Sequence, residues 1–144
     1  MLNSKQIGNI TELECMLAFV KAGFNVLTPY GDCERYDFVV DIKNHFHRIQ
    51  VKTSREKENG EYIEFNTSSQ TTKNGRLVHQ GYDDTQIDYF MTFYNNKTYL
   101  IPVKEASTRE KRLRFVPPKN GQVKGITFAK EYEFEKVVEK IVNE

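Results

Sequence analysis

The chain has 144 residues, of which 38% are hydrophobic and 28% are charged, and this size and mix predict one globular domain. Twenty-one basic residues stand against 20 acidic ones, and the formal net charge of +1 excludes a uniformly basic coat, so any nucleic-acid footprint must be local. No apolar stretch has the length of a membrane helix or the core of a signal peptide, and Cys15 and Cys33 show no zinc-ligand spacing, so we expect a cytoplasmic protein without a disulfide scaffold.

A helix is predicted first along the chain. Its apolar residues recur at i, i+3, i+4 and i+7, and this spacing predicts that one face of the helix packs on a core. These residues are Leu13, Met16, Leu17 and Val20. Asn9 with Glu12, and Thr11 with Glu14, both fit the spacing of a capping box at the helix start. Gly23 is a suitable stop.

Strand patterns follow this helix. Residues 24–29 are predicted to be extended, and residues 36–42 alternate between apolar and polar side chains, as a strand does. Residues 43–45 form a predicted hairpin turn before a second strand over residues 46–54. Side chains two apart on a strand point to the same side, so Gln50 and Lys52 share one face.

The second half of the chain contains further predicted strands and one helix. Residues 61–68 and the pair 87–94 and 97–103 read as strands, with Asn95-Asn96 as the tight turn of the pair. The polar stretch 68–81 has the composition of a long functional loop. The C-terminal segment is a predicted amphipathic helix whose apolar positions are Phe134, Val137, Val138, Ile141 and Val142.

One group of side chains has the composition of a metal-dependent catalytic centre. Asp37 lies in one strand of the predicted hairpin, and Gln50 and Lys52 share a face of the next, so pairing brings the three together. Glu12, on the preceding helix, can lean over the same point. Oxygen ligands of this kind suit Mg²⁺, and a nearby lysine can orient a water or stabilise developing charge. The alternative interpretation is a partly exposed cross-strand ion pair between Asp37 and Lys52.

These residues, taken with several others in the same order, resemble the PD-(D/E)XK nuclease superfamily. The resemblance is closest to the branch with a Q-x-K motif, which includes intron-encoded homing endonucleases, and it covers most of residues 7–104. The matching segments are Gly8-Asn9-Ile10-Thr11-Glu12-Leu13, Gly23-Phe24-Asn25-Val26, Gly31-Asp32, Arg35-Tyr36-Asp37, Gln50-Val51-Lys52-Thr53, Ile87-Asp88-Tyr89-Phe90 and Tyr99-Leu100-Ile101-Pro102-Val103.

The resemblance implies an α/β fold with a restriction-endonuclease-like core, in which helices flank a central mixed β-sheet. It also implies the site: Asp37 as the first acid, Gln50 in place of the usual second acid, Lys52 as the motif lysine, and Glu12, or alternatively Glu14, as the helix acid. The implied ligands of Mg²⁺, for which Mn²⁺ would substitute, are Glu12, Asp37, Gln50 and the backbone carbonyl of Val51. Tyr36 stands where the family has proline, and the uncharged Gln50 predicts weaker metal affinity.

The function implied by the resemblance is metal-dependent hydrolysis of DNA phosphodiester bonds, with a homing-type endonuclease as one form. A catalytically silent DNA-binding module, a Holliday-junction resolvase, a restriction-type enzyme and an interaction domain that docks an acidic protein remain as alternatives. Segment 104–124 has seven basic and two acidic residues, a local charge of +5. The expected partner is double-stranded DNA, and its candidate phosphate contacts are Lys73, Arg76, Arg109, Lys111 and Arg112.

A small domain with one active centre cuts one strand at a time, so cleavage of both strands calls for at least two copies. We therefore expect a homo-oligomer, either a dimer or, by analogy with the homing members, a tetramer.

Overall fold

A five-stranded mixed sheet with two helices forms the centre of the computed structural model, which describes residues 1–144. In chain order the helices and strands are α1 (Ser4–Lys21), β1 (Asn25–Leu27), β2 (Phe38–Ile42), β3 (His45–Val51), β4 (Arg55–Lys57), β5 (Tyr62–Asn66), β6 (Ser68–Lys73), β7 (Arg76–Gly81), β8 (Tyr89–Tyr94), β9 (Lys97–Pro102), β10 (Glu110–Arg114) and α2 (Phe134–Val142).

The strands of the central sheet are ordered β1-β2-β3-β8-β9. All neighbours are antiparallel except β3 and β8, which run parallel with Ile49 opposite Tyr89. The two turns predicted from sequence are present, at Lys43-Asn44 and at Asn95-Asn96, and all four of their residues have positive φ, as two-residue hairpin turns require. The α/β fold with a central mixed sheet and flanking helices is confirmed.

Helix α1 is where predicted, but its buried face and its start differ from the prediction. The buried residues are Thr11, Cys15 and Phe19, and the ring of Phe19 lies edge-on to Phe134 at 4.8 Å between centroids. The expected core residues Leu13, Leu17 and Val20 are exposed, and Met16 is only partly buried. The i, i+4, i+8 line through Phe19 packs on the sheet because an aromatic ring fills that core better than Leu13 would.

The start of α1 is also earlier than expected. Asn3 caps the helix, since its side chain accepts a hydrogen bond from the Gln6 amide at 2.9 Å and the Gln6 side chain reaches back to the Asn3 amide. The two capping boxes predicted at Asn9 and Thr11 therefore lie inside the helix, and the Thr11 hydroxyl donates to the Ile7 carbonyl. Glu12 and Glu14 are free of a capping role.

Residues 68–81, predicted to be a loop, form a two-stranded ribbon of β6 and β7. Asn74 and Gly75 make its turn with φ of 52° and 76°. Asn-Gly is a strong hairpin signal, and the β-branched Thr71, Thr72 and Val78 favour strands on either side of it. Polar composition alone was therefore a poor guide here.

A second sheet, β10-β5-β4, packs against the central one, and its residues Ile63, Phe65 and Leu113 form a second hydrophobic core with Phe90 and Ile101 of the central sheet. Part of the basic segment 104–124 is thus a strand, β10, rather than a free loop. At the C-terminus, α2 confirms the predicted helix and buries Phe134, Val137, Val138 and Ile141. Neither helix is long and apolar enough to cross a membrane.

A buried carboxylate links the strands of the second sheet. The Glu64 side chain is 8% exposed and lies 2.8 Å from Arg112 Nε and 3.2 Å from Arg55 Nη2. Burial acts to raise the pKa of Glu64, but the hydrogen bonds from Arg112 and Arg55 outweigh it and hold the pKa below its ordinary value. The ionised form of Glu64 therefore stabilises the fold above the unfolded-state pKa, and this stabilisation is lost as the pH falls through the folded-state pKa.

We predict that Glu64→Gln lowers the free energy of unfolding by about 1–2 kcal/mol at pH 7, because Arg55 and Arg112 lose their carboxylate. The difference from the wild type should shrink towards pH 3. Urea unfolding at both pH values measures it. Glu131→Gln is the matched control, since its pair with Lys136 is half-exposed and should contribute little. Equal stability of wild type and Glu64→Gln at pH 7 would contradict the prediction.

Candidate active site

The site forms where β3 extends past the start of β2. Phe38, the first residue of β2, pairs with Ile49, so Val51 lies beyond the reach of β2. Asp37 fills this gap: its backbone amide donates to the Ile49 carbonyl at 2.8 Å, and its carboxylate accepts the Val51 amide at 2.7 Å. The acid is therefore tied to the residue whose carbonyl the sequence predicted as a metal ligand.

Gln50 and Lys52 flank Val51 at the end of β3. The Gln50 amide nitrogen donates to the Val51 carbonyl at 3.4 Å, and a rotation of the amide by 180° presents its oxygen at the same point. The Lys52 backbone amide donates to the Met91 carbonyl at 2.9 Å, which continues the parallel pairing with β8. The Lys52 ammonium donates to the Ser68 carbonyl at 3.3 Å.

The electrostatics of the site couple Glu12 to Asp37. Burial raises the pKa of Asp37, and the Val51 amide and the Lys52 charge only partly oppose this. Burial also raises the pKa of Glu12, and the negative charge of Asp37 raises it further. Helix α1 thus brings a second carboxylate close to the first. Glu14, the alternative helix acid, lines a different cavity with Phe93 and Glu133.

The donors at this point fit a hard divalent cation. A cation stabilises two neighbouring carboxylates whose ionisation burial makes unfavourable, and the Val51 and Gln50 oxygens add uncharged ligands of the kind that Mg²⁺ accepts. The chain holds no group of three or more His, Cys, Asp or Glu side chains suited to a metal ion. A cation at this point would therefore have two acids and two neutral oxygens as ligands from the chain.

Two side chains beside Lys52 were not found from the sequence. The Arg35 guanidinium stacks on the Tyr82 ring at 3.8 Å from its centroid, and the Lys52 ammonium lies 5.1 Å from the same centroid. Arg35 also donates to the Ser69 hydroxyl at 3.2 Å and to the Gly81 carbonyl at 3.3 Å. Arg35 lies in a segment that carries the family resemblance, Arg35-Tyr36-Asp37, but Tyr82 is far from it in sequence, and no sequence signal pointed to their contact.

The predicted DNA contacts occupy two separate places. Lys73 and Arg76 face each other at the tip of the β6–β7 ribbon, and both are exposed. Arg109 is exposed just before β10. None of these three side chains lies within 4.0 Å of a carboxylate, so none of them forms an ion pair within the chain.

The other two predicted contacts, both on β10, already have partners within the chain. The Lys111 ammonium donates to the Glu105 carbonyl at 3.0 Å, and burial lowers the pKa of Lys111. Arg112 is paired with the buried Glu64. Their charges still contribute to a positive surface, but their strongest donors are directed into the protein.

We predict that Asp37→Asn raises the melting temperature at pH 7.5 in EDTA by a few degrees, because a folded-state pKa that is raised makes ionisation unfavourable for folding. The asparagine oxygen can still accept the Val51 amide. The advantage should vanish towards pH 3, where the wild-type carboxyl is protonated. Thermal unfolding checks this.

Added Mg²⁺ should raise the melting temperature of the wild type and leave that of Asp37→Asn nearly unchanged, since ligand binding stabilises only a fold that binds it. Asp32→Asn, at an exposed position, should behave as the wild type. An equal response of Asp37→Asn and the wild type to Mg²⁺ would remove Asp37 from the metal site.

The fold and the family are also shown by comparison with known proteins. The bacterial homing endonuclease I-Ssp6803I has a similar structure, with a TM-score of 0.79 over 99% of this chain and 98% of that chain, at 20% sequence identity. No curated protein matches the sequence. Residues 2–135 match the family described as PD-(D/E)XK endonuclease, which confirms the resemblance found in the sequence. The chain belongs to the PD-(D/E)XK endonuclease family.

Proposed function

We propose that this nuclease-family chain is a metal-dependent DNA endonuclease of the homing type, which uses Mg²⁺ or Mn²⁺ to hydrolyse phosphodiester bonds. The observation that carries the proposal is the hydrogen bond of 2.7 Å between the Asp37 carboxylate and the Val51 amide, with Lys52 one residue further along. The similarity in fold to a bacterial homing endonuclease supports the homing type. Action on cytoplasmic double-stranded DNA is part of the same proposal.

The cation would be held by Asp37, Glu12, the Val51 carbonyl and the Gln50 amide oxygen. When bound, it supplies charge neutralisation at the phosphate and lowers the pKa of a coordinated water. Asp37 is oriented by the Val51 amide, so its carboxylate needs little reorganisation. Gln50 leaves the site with one negative charge fewer than an acid would, which favours moderate metal affinity.

Lys52 would stabilise the negative charge that develops on the phosphate and orient the attacking water. Its ammonium is held by the Ser68 carbonyl at 3.3 Å, which uses one of its three protons. The remaining two are free to face a phosphate oxygen and a water. The Tyr82 ring, whose centroid lies 5.1 Å from the ammonium, faces the lysine charge at cation–π distance.

We predict that Asp37→Asn and Lys52→Ala each slow the cleavage of duplex DNA by about 100-fold or more, since each removes a group that acts on the reacting phosphate. Binding measured in EDTA should change little, because neither residue is needed for contact with distant phosphates. Supercoiled plasmid, linear duplex and a four-way junction should be incubated with Mg²⁺, with Mn²⁺ and with EDTA. Asp32→Asn is the control with expected wild-type activity.

A normal cleavage rate in Asp37→Asn would show that the assigned centre is wrong. Binding without cleavage of any substrate in either metal would identify a catalytically silent DNA-binding module instead. Cleavage confined to the junction would identify a resolvase.

The homo-oligomer is the second part of the proposal. The exposed face of α1 carries Ile10, Leu13, Leu17 and Val20, which are 43%, 63%, 43% and 55% exposed. We call this face the α1 stripe. Its i, i+3, i+7, i+10 spacing is that of a seam between two helices. We propose that the same stripe of a second copy covers it, because a two-fold interface pairs identical surfaces and two copies supply the two active centres that a duplex cut requires.

We predict that Leu13→Lys with Leu17→Lys dissociates the oligomer, because burying two charges in an apolar seam is unfavourable. Light scattering should give at least twice the chain mass of 16.9 kDa for the wild type and the single-chain mass for the double variant. The double variant should nick plasmid rather than linearise it. Val123→Lys, at a position 85% exposed elsewhere, is the control. A monomeric wild type would contradict this part of the proposal.

A further inference from the structure

The outer part of the β6–β7 ribbon is not enclosed by the rest of the fold. Its strands pair only with each other, and every residue from Gln70 to Val78 is exposed. An isolated two-stranded hairpin is marginally stable in water, so a ribbon of this kind needs support at its base. With neither face covered along its outer part, both rows of side chains are available to a ligand.

The base of the ribbon is fixed to the active site. Arg35 joins β6 to β7 through the Ser69 hydroxyl and the Gly81 carbonyl, and Lys52 donates to the Ser68 carbonyl. Next to them, the Thr67 hydroxyl donates to the Ser107 carbonyl at 2.6 Å. The ribbon therefore projects from a rigid base whose first residue contacts the proposed catalytic lysine.

The exposed side chains of the ribbon have a consistent chemical character. No Asp or Glu occurs between residues 65 and 82, although the chain has 20 acidic residues. The register places two rows of cross-strand pairs on opposite faces: Thr71 with Val78 and Lys73 with Arg76 on one, and Gln70 with His79 and Thr72 with Leu77 on the other. The side chains of Gln70, Thr72 and Arg76 make no hydrogen bond within the chain, so their donors and acceptors face solvent.

The size of the ribbon matches a groove of DNA. Six residues per strand span about 20 Å, and the major groove of B-DNA, about 12 Å wide, admits a two-stranded ribbon. Its side-chain types match the groove's chemical code: arginine and lysine pair with guanine, glutamine pairs with adenine, and threonine or valine methyl groups contact the thymine methyl. A ribbon that contacted only phosphates would need only its two cations, Lys73 and Arg76, and not the glutamine and threonine side chains.

We propose that the β6–β7 ribbon enters the major groove next to the cut phosphate and reads the base sequence there through the face that carries Gln70 and Thr72 and through Arg76 at its tip, so that these three are specificity residues. The inference rests on the proposed endonuclease function, because the active site sets where the ribbon meets the duplex. Since Lys52 contacts Ser68, the bases read lie within about six base pairs of the cut, given 20 Å of ribbon and 3.4 Å per base pair.

The test uses a library of duplexes with randomised sequence, from which the fraction bound in EDTA and the fraction cut in Mg²⁺ are sequenced. Gln70→Ala, Thr72→Ala and Arg76→Ala are compared with the wild type. Each variant should lose about tenfold or more of the preference for one base pair near the cut and keep its affinity for scrambled duplex. Lys119→Ala, which removes an exposed cation elsewhere, should keep the wild-type preferences.

A second experiment tests whether the ribbon contacts bases in the major groove. Replacing guanine by 7-deazaguanine, or thymine by uracil, changes only the major-groove edge and should weaken wild-type binding at the positions that the variants identify. In the contrary outcome, the three variants keep the wild-type base preferences and lose affinity equally for every sequence. That result would show that the ribbon contacts phosphates and would overturn the inference. Insensitivity to both base analogues would overturn readout in the major groove.

The two fractions separate this inference from the proposed function. Ribbon-dependent preferences in the bound fraction, without cleavage by the wild type, would support base readout and overturn the endonuclease. Normal cleavage by the wild type, with base preferences that the ribbon variants leave unchanged, would support the endonuclease and overturn base readout by the ribbon. Absence of any DNA binding by the wild type would overturn both. The variants change exposed side chains only, and unchanged circular dichroism melting confirms that they fold.

Discussion

Parallel pairing of β3 with β8 is the constraint around which the site is arranged. Asp88 enforces it, since its carboxylate accepts the Arg48 backbone amide at 2.7 Å and the Arg48 Nε at 3.1 Å, while its own backbone amide donates to the Arg48 carbonyl. Parallel neighbours cannot be joined by a tight turn, so the chain between Val51 and Tyr89 must cross over. The crossover leaves the sheet after Lys52 and carries β4 and β5 of the second sheet together with the ribbon.

This departure explains why reactive groups gather at the end of β3. Because β2 starts late, the Val51 amide has no strand partner there and takes the Asp37 carboxylate instead. Because the chain then leaves the sheet, the Lys52 ammonium reaches the Ser68 carbonyl at the base of the ribbon. The Asp37 carboxylate, the Lys52 ammonium and the half-buried Glu12 therefore share one edge of the sheet, where burial raises the pKa of both acids.

Helix α1 connects the site with the outer surface of the molecule. Its inner line, through Cys15 and Phe19, sits on the sheet and places Glu12 near Asp37. Its outer line is the α1 stripe, which no other part of the chain covers. The ribbon on the far side of Lys52 has the opposite character, since it is polar, positively charged and acid-free. The surfaces proposed for a second copy, for a cation and for DNA are thus separate on this short chain.

The amino-acid sequence determined the features that depend on neighbouring residues. Alternation over residues 36–42, the Asn95-Asn96 turn and the apolar spacing of α2 are local patterns, and each matches the structure. Order-matched motifs also determined the family, and the i, i+2 rule predicted that Gln50 and Lys52 share a face at the end of β3. These inferences needed only backbone geometry and the order of residues along the chain.

Tertiary structure alone decided which surfaces are covered and which distant groups meet. An apolar stripe shows that a helix has two faces, but the larger ring of Phe19 determined which face of α1 the sheet accepts. Likewise, no local pattern predicted that Arg112 would pair with Glu64 or that Arg35 would stack on Tyr82. Such contacts join residues about 50 positions apart, and their formation depends on how the sheets pack rather than on the residues beside them.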